Sequence, residues 1–473
     1  MSEQDTPLCV DLDGTLIRSD LLLESSLALL RRNPANLFRF FGWLLKGKAH
    51  LKREIAARTE IDAALLPYDD RVVAWLRGEA AQRPQVLCTA SDRKFAEAVA
   101  THIGGFGEVF ASDGARNLAG ANKGDALRER FGDRGFDYAG NAAPDLAVWR
   151  HARRGIVVNA SPGLAKRAAQ VVEVERVFDR PAGGIRAWIK AMRLHQWLKN
   201  LLVFLPLLAS HRVFDSHAVL LSVLAFVAFG FCASGVYLLN DLLDLEADRG
   251  HPRKRLRPFA AGMLPLTTGL AAAPLLTLAA FVLASYVGPR FALVLIGYYA
   301  LTLAYSFGIK RVAMLDMVVL AGLYTVRIVA GTVAILAALS FWLLAFSMFL
   351  FLSLAMVKRY TELRLLLVQG RDRTGGRGYQ VDDLPLIQSL GAASGYLAVL
   401  VLALYINSTA SEVLYRHQQV LWLLCPLLLY WISRVWLIAH RGAMHDDPVV
   451  FALTDSVSRI VLAVCAVVVV GAI

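Results

Sequence analysis

The sequence predicts two folds in one chain. Residues 1–180 read as an α/β, Rossmann-like domain with a helical cap, and residues 186–473 as an all-α polytopic membrane domain of about nine transmembrane helices. Three observations carry that prediction. Apolar character is uneven: 56% of the 473 residues are hydrophobic and the mean hydropathy is +0.49, yet long uncharged runs dominate only after about Ile185. The first part has short apolar stretches that each end in a polar cluster, the pattern of strands feeding catalytic loops in open α/β sheets. The second part has repeated runs of about 20 mostly apolar residues, each long enough to cross a bilayer.

Composition narrows the function classes. A net charge of +12 is compatible with nucleic acid binding. In so apolar a chain it reads instead as basic cytoplasmic loops, anionic headgroups and phosphate substrates, with no nucleic acid partner. The opening residues, MSEQDTPLCVDLDGT, have neither a basic leader nor a signal-length apolar run, so no cleaved signal peptide is expected. Cys9, Cys88, Cys232, Cys425 and Cys465 have no metal-ligand spacing and read as reduced packing residues.

The front domain opens with a strand at residues 8–10 that runs into Asp11-Leu12-Asp13-Gly14-Thr15. A second strand, 86–88, ends at Thr89-Ala90-Ser91. Asn122-Lys123-Gly124-Asp125 opens a helix, and a further strand, 136–140, leads to Asn141 and Asp145. A carboxylate pair just past a strand end, followed by a glycine turn, is where α/β folds place their chemistry. Four such clusters in this order, over roughly residues 7–178, resemble the haloacid dehalogenase superfamily. The resemblance implies Asp11 as a nucleophile forming an aspartyl-phosphate and Asp13 as general acid and base. It implies that Thr89 and Lys123 hold the phosphoryl group, and that Asp145 joins Asp11 and Asp13 in binding Mg2+. One departure bears on turnover. The last motif reads Gly140-Asn141 where the family has Gly-Asp, which removes a carboxylate beside the metal. A retained scaffold with weak or no phosphatase activity is the competing reading.

Residues 20–80 read as a helical insertion, the usual place of a cap in that superfamily. Its stretch 37–45, LFRFFGWLL, is unusually apolar and is flanked by Arg31, Arg32, Lys46, Lys48, Lys52 and Arg53. It suits either a membrane-surface helix or a cap helix packed over the active site. Pro181-Ala182-Gly183-Gly184 then marks a linker at 181–185. Spans are expected near 186–209, 217–240, 264–287, 290–307, 312–333, 338–358, 387–407, 417–437 and 449–472. Lys and Arg concentrate in the loops after the second, fourth, sixth and eighth spans. That places those loops, the front domain and the long 358–383 loop in the cytoplasm, and the C-terminus outside.

The second span ends in NDLLDLEADRGHPRKRLRPFAAG, residues 240–262. Asn240, Asp244 and Asp248 recur every fourth residue, a spacing that stacks them along one helix face with Asp241 beside them. Carboxylates gathered at a membrane end repel one another unless a cation lies between them, and Mg2+ commonly bridges such groups to substrate phosphates. Arg253, Lys254, Arg255 and Arg257 follow, placed to neutralise phosphate oxygens. Acid, metal and base together make a diphosphate-binding site. The alternative is a solvated loop with helix-supporting ion pairs. Other polar residues fall near the same side: Lys199, Tyr305 and Lys310, Asp316 and Arg327, Lys358 and Arg359, and His445-Asp446-Asp447-Pro448. Charged groups near membrane depth are costly and are functional candidates by default, so they are expected to converge on the acidic motif. Asp316 and Arg327 pairing with each other, and Lys358 and Arg359 anchoring at the interface, are the plainer readings.

These features resemble the UbiA superfamily of membrane prenyltransferases and, within it, the decaprenyl-phosphate phosphoribosyltransferase branch. The residues that carry the likeness are RLHQWLKN at 193–200, the 240–262 motif, YSFGIK at 305–310, the 316–331 segment and KRYTEL at 358–363. Ordinary members have a second DxxxD motif, whereas Asp316 here is followed at the fourth position by Leu320. Fewer acids and more bases suit a donor with an extra phosphate. The resemblance therefore implies transfer of 5-phosphoribose from phosphoribosyl pyrophosphate to a polyprenyl phosphate, with release of diphosphate. Mg2+ is expected on Asn240, Asp244 and Asp248 with Asp241 in support. Lys199, Arg253, Lys254 and Arg257 are expected at phosphate oxygens, Lys310 and Arg327 at the 5-phosphate or the acceptor phosphate. Tyr305, Asp316, Lys358 and Arg359 complete the substrate-binding set. The front domain then serves as a phosphatase of the product 5-phosphate. Rival readings are a prenyltransferase acting on an aromatic acceptor and a membrane-anchored scaffold that only binds phosphorylated ligands. The expected setting is cell-envelope biosynthesis at a bacterial inner membrane; homo-oligomerisation is left open.

Overall fold

The computed structural model describes residues 5–113, 116–180, 183–370, 378–444 and 447–473. The linker residues Pro181 and Ala182, the motif residues His445 and Asp446, and part of the 358–383 loop lie outside the described residues. The chain forms two compact units. One is Met1–Met192 together with Tyr237–Pro274; the other is Arg193–Val236 together with Leu275–Ile473. The acidic motif is thus grouped with the front domain.

The first unit is built on a six-stranded parallel sheet of order β3-β2-β1-β4-β5-β6. Its strands are β1 (Leu8–Val10), β2 (Gln85–Asp92), β3 (Phe106–Ser112), β4 (Asp137–Gly140), β5 (Arg154–Val158) and β6 (Glu173–Phe178). The expected strands are present, and β3, β5 and β6 join them. Strand alternation sends Leu8 and Val10 into one core with Leu87 and Ala139, and Cys9 into another with Val86 and Tyr138. Both faces are covered, as a parallel sheet requires. Strand order reverses at β1 and β4, so the loops after them part and leave a crevice at the carboxyl ends of the strands.

Helices α1 (Leu21–Arg32), α2 (Asn36–Leu45) and α3 (Lys48–Arg58) form the cap. Asp20 starts α1 by accepting the Leu23 N–H at 2.9 Å. On α2, Leu37, Phe38, Phe41, Leu44 and Leu45 are exposed, Phe38 by 79%. That apolar face does not cover the active site; with its basic flanks it has the composition of a membrane-surface helix.

Among the described residues, seven helices are long and apolar enough to cross a membrane: Ser216–Leu243, Leu266–Val287, Pro289–Phe307, Leu315–Ala334, Phe341–Val368, Val381–Ile406 and Gln418–His440. The pair Pro448–Thr454 and Ser456–Ala472, bent by 78°, makes an eighth if counted as one span. This is roughly the expected nine. The expected first span differs: it divides into a helix Gly184–Ala191, a 3-10 stretch Leu194–Phe204 and a short helix Leu205–Ala209. Arg193 adopts the left-handed conformation (φ 52°), which an α-helix cannot contain. Phe341–Val368 extends ten residues past the expected limit of 358. All five cysteines are free.

Candidate functional sites

The front site assembles where the strand order reverses. Asp11 follows β1 directly, and its N–H donates to the Ala139 carbonyl of β4 (2.9 Å). Lys123, on the helix Ala121–Phe131, donates to Asp11 Oδ1 (2.7 Å) and Tyr138 Oη (2.9 Å). Tyr138 donates in turn to Asp145 Oδ1 (2.8 Å). Asp145 Oδ2 accepts the N–H groups of Asn141 (3.0 Å) and Ala142 (2.9 Å), which fixes the loop after β4. Asp13 accepts from the Leu21 N–H (2.9 Å) and from Ser91 Oγ (2.5 Å). Gly14 has φ 76°, and a Cβ there would lie 1.9 Å from Asn141 Nδ2, so glycine is what lets the two loops close. Burial pushes the Asp11 carboxyl up to about 6 against the pull of Lys123. It pushes Asp13 up to about 7, with neighbouring Asp20 adding to the effect. A carboxyl titrating near neutrality can both give and take a proton.

Asp11, Asp13, Lys123 and Asp145 therefore meet at one cavity of about 1000 Å³. Thr89 is not among the residues that line it. Because β2 continues to Asp92 and not only to Cys88, Thr89 stays fully buried, and its hydroxyl accepts the Ser91 N–H at 3.0 Å. Ser91 stands beside Asp13 instead. Sequence reasoning also missed Tyr138 and Lys52. The latter, on α3, donates to the Ala90 carbonyl (2.5 Å) and to Asn117 Oδ1 (2.9 Å), and brings the cap into the site. Ser91 was legible, being two residues past Thr89 in the same cluster; Lys52 had no signal beyond its charge. Asn141 Oδ1 is buried without a hydrogen-bond partner among the described residues. With Asp11 and Asp13 lining the same cavity, that oxygen fits the needs of an oxygen-ligated cation such as Mg2+.

The acidic motif straddles a break. The helix Ser216–Leu243 ends before Asp244, and Leu245–Arg249 resumes it. Arg257 donates from one nitrogen to Asp241 Oδ1 (3.2 Å) and Asp248 Oδ2 (2.6 Å). Asp244 pairs with Arg31 of α1 (3.3 Å). The structure thus joins Asp248 to Asp241, and not to Asp244 as the four-residue spacing suggested. The break gives the reason: the four-residue stacking assumed one continuous helix over 240–248, and Asp244 falls between its two pieces with φ −102° and ψ 15°. Asn240 is half-buried one residue before Asp241. Arg253 and Lys254 are exposed on the following loop. Burial raises the Asp248 carboxyl, opposed by Arg257. Among the described residues no group of three or more His, Cys, Asp or Glu is gathered tightly enough to hold a metal ion. Yet the Arg257 nitrogen between two carboxylates marks a place where a cation is held, and two carboxylates with substrate phosphates suffice for Mg2+.

The second unit holds its own polar cluster. Asp447 Oδ2 accepts from Lys199 (2.8 Å) and Lys358 (2.9 Å), and Tyr324 donates to its Oδ1 (3.0 Å). Arg327 donates to Asn200 Oδ1 (2.8 Å) and Tyr298 Oη (3.0 Å). Asn200 Nδ2 is buried with no partner among the described residues. Asp316 and Arg327 do not pair. Asp316 instead accepts from Arg359 (2.6 Å) and from Tyr379, and Arg359 also donates to Tyr305 (2.9 Å) and Glu362. Asp316, Tyr305 and Arg359, expected at substrate, thus form a buried network with one another. Lys310 is half-buried in a short 3-10 turn. Asp447, named with its 445–448 cluster but given no role, proves to be the anion that gathers Lys199 and Lys358, and Asn200 is the residue that sequence reasoning left without a place in the site.

An apolar cavity of about 300 Å³ lies beside that cluster in the chain. Leu198 and Leu201 flank Lys199 and Asn200, Ile328 follows Arg327, and Val449 follows Asp447 by two residues; all four line it. An apolar slot whose lining adjoins Lys199, Arg327 and Asp447 in sequence suits an amphiphile with an anionic head.

Fold and sites together define a polytopic helical membrane domain joined to an α/β domain with a carboxylate-lined cavity. Residues 201–457 match the UbiA prenyltransferase family, and the chain belongs to that family. The uncharacterized protein y4nM of Sinorhizobium fredii is 37% identical over 460 residues, 96% of this chain and 89% of its own length. The decaprenyl-phosphate phosphoribosyltransferase of Mycolicibacterium smegmatis is 33% identical over 299 residues, 61% of this chain and 92% of its own length. Among solved structures, a UbiA homolog from Archaeoglobus fulgidus bound to GPP and Mg2+ covers 60% of this chain and 99% of its own, at 15% identity and a TM-score of 0.47. A HAD family hydrolase from Salmonella enterica serovar Typhi covers 37% of this chain and 67% of its own, at 15% identity and a TM-score of 0.28.

Proposed function

We propose that the chain transfers 5-phosphoribose from phosphoribosyl pyrophosphate to a polyprenyl phosphate, and that its front domain then hydrolyses the 5-phosphate of the product. The observation that carries the first step is the gathering of Lys199 and Lys358 on Asp447, with an apolar slot lined by sequence neighbours of Lys199, Arg327 and Asp447, in a chain that spans 92% of a phosphoribosyltransferase. The cluster suits the acceptor's phosphate and the slot the start of its prenyl tail. Asp241 and Asp248, with Asn240 and Asp244 alongside, are the residues that would hold Mg2+ with the donor's diphosphate. When bound, the ion neutralises charge on the leaving group. Arg257, released from the carboxylates, and Arg253 and Lys254 suit its remaining oxygens. The acceptor phosphate oxygen forms a bond to the ribose anomeric carbon as the bond to diphosphate breaks. That oxygen is already anionic, so no strong general base is required and catalysis is chiefly positioning and charge stabilisation. The aromatic prenyltransferase reading needs a second acidic motif, and Asp316 is fully buried against Arg359 and Tyr379.

In the front domain, Asp11 attacks the phosphorus of the 5-phosphate while Asp13 gives its proton to the departing ribose oxygen. Asp13 then takes a proton from the water that cleaves the phospho-aspartate, leaving inorganic phosphate. Lys123 offsets charge at Asp11 throughout. The excess of Lys and Arg in the loops after the second, fourth, sixth and eighth expected spans supports a cytoplasmic side of a bacterial inner membrane for both sites. The test is transfer of label from phosphoribosyl pyrophosphate into polyprenyl phosphate by purified protein with Mg2+. Asp241→Asn and Asp248→Asn are each expected to slow it by about 100-fold or more, and Asp244→Ala to slow it as well. No labelled lipid from wild-type protein, with activity on a prenyl diphosphate and an aromatic acceptor, would overturn the reading.

A further inference from the structure

The front cavity has a wall that an ordinary soluble phosphatase lacks. Gly262, Met263, Leu266 and Thr267 line it together with Asp11 and Asp13. Leu266 is the first residue of the helix Leu266–Val287, which is long and apolar enough to cross a membrane. That wall is fixed within the same compact unit. A Cβ on Gly262 would lie 2.6 Å from the Arg18 Cβ, so the segment is packed directly on the loop after β1. Arg249 clasps Glu24 of α1 through both guanidinium nitrogens (2.8 and 2.6 Å), with both side chains buried. The first turn of a spanning helix lies at the level of the lipid headgroups. A catalytic cavity whose wall is that turn opens into the headgroup layer.

Acids and bases are nearly balanced in the lining, with Asp11, Asp13, Asp20 and Asp145 against Arg18, Lys52, Lys123, Arg167 and Arg180, but that balance leaves cations with no carboxylate paired to them among the described residues. Lys123 pairs with Asp11, and Arg18 pairs with Asp69 at 3.0 Å. Arg167 and Arg180 line the same cavity, are exposed, and make no ion pair among the described residues. About 1000 Å³ is at the upper end of ligand sites and exceeds what a free sugar phosphate fills.

We propose that this site takes a sugar phosphomonoester linked through a phosphodiester to a membrane lipid, with the monoester at Asp11 and the phosphodiester met by Arg167 and Arg180. The proposal rests on the phosphatase reading above and adds a second binding subsite, Arg167 and Arg180, that selects the lipid-linked substrate over a free sugar phosphate. Net chemistry is hydrolysis: water and the phosphomonoester give the lipid-linked sugar hydroxyl and inorganic phosphate, and the phosphodiester stays intact.

The experiment measures phosphate release by the full chain in lipid nanodiscs from two probes, synthetic farnesyl-phosphoryl ribose 5-phosphate and free ribose 5-phosphate. The lipid-linked probe is expected to have a kcat/KM at least about 100-fold higher, as two charge-assisted contacts allow. Arg167→Ala with Arg180→Ala is expected to cut that preference about tenfold or more, the loss appearing in KM. Thermal melting verifies that the variant is folded. Equal kcat/KM on both probes in the wild type would overturn this proposal and leave the phosphatase reading standing. Release no faster than from Asp11→Asn on both probes would overturn the phosphatase reading and this proposal with it.

Discussion

Asp69 shows how a single residue holds the front domain together. Its side chain is inaccessible and accepts from Arg18 (3.0 Å), Arg71 (2.9 and 2.7 Å) and Asn159 (3.0 Å). Burial alone would raise its pKa, but the bonds from Arg71, Arg18 and Asn159 prevail and hold it well below the usual carboxylate range. A folded-state value below the unfolded one contributes stability that is present above about pH 4 and is lost as pH falls further. Asp69→Asn is therefore expected to lower stability by about 2–4 kcal/mol at pH 7, since it leaves partly buried cations unpaired. The difference from wild type should shrink below about pH 4. A difference that stays constant from pH 7 to 3 in thermal melts would count against this account. The sequence did not signal Asp69, because its partners lie at positions 18, 71 and 159 and only the fold collects them. The same limit hid the partners of Asp447: its own cluster was legible, but Lys199 lies 248 residues away. Asp11, Asp13, Lys123 and Asp145 were legible because each sits in a short cluster just past a strand end or at a helix start, where local sequence and chemistry coincide.

Elements meet at points that chemistry rather than length determines. In the second unit, Trp436 donates to Ser353 Oγ (3.1 Å), and Ser353 donates to the Gly391 carbonyl (2.7 Å). This chain joins the helices Phe341–Val368, Leu384–Ile406 and Leu424–His440. A Cβ on Gly391 would lie 2.2 Å from the Trp436 ring and 2.9 Å from Met356 Cβ, so the backbones approach as closely as a small residue permits. Gly391→Ala is expected to lower stability by about 1–3 kcal/mol, because the indole is fixed by its hydrogen bond and cannot yield freely. Ser353→Ala is expected to cost less, about 1 kcal/mol, as an interhelical hydrogen bond in a membrane typically does. Melting curves in detergent rank the two, and a neutral Gly391→Ala would mean that the helices can shift apart. Spanning helices were legible because a run of apolar residues of bilayer length has few other uses. The expected first span failed for a physical reason. Residues 186–200 are amphipathic, with Arg186, Lys190, Arg193 and Lys199, so only 201–209 is continuously apolar, and Arg193 at positive φ and the 3-10 stretch after it break the helix. The apolar stretch 37–45 had the opposite ambiguity, and burial removes one side of it, since Phe38, Phe41 and Leu45 are exposed rather than packed over the cavity.

At the scale of the whole molecule, likeness to the Sinorhizobium fredii relative runs over 96% of this chain and so takes in both halves. If the two sites act in sequence, the order of events has an observable signature. Asp11→Asn protein given phosphoribosyl pyrophosphate and polyprenyl phosphate is expected to accumulate a lipid that retains its 5-phosphate. Asp248→Asn protein is expected to make no lipid product, yet to release phosphate from the synthetic lipid-linked probe. Neither variant alone should yield phosphate from the starting substrates. Mixed in the same vesicles, they should restore it, because a polyprenyl lipid diffuses within a bilayer from one protein to the other. Held in separate vesicles, they should not. Each buried methylene adds about 0.8 kcal/mol to membrane retention, so a polyprenyl chain does not leave its bilayer on the time scale of an assay. Phosphate release from separate vesicles would mean that the species hydrolysed is soluble, and the front domain would then be acting on the donor or its breakdown products instead of on the lipid.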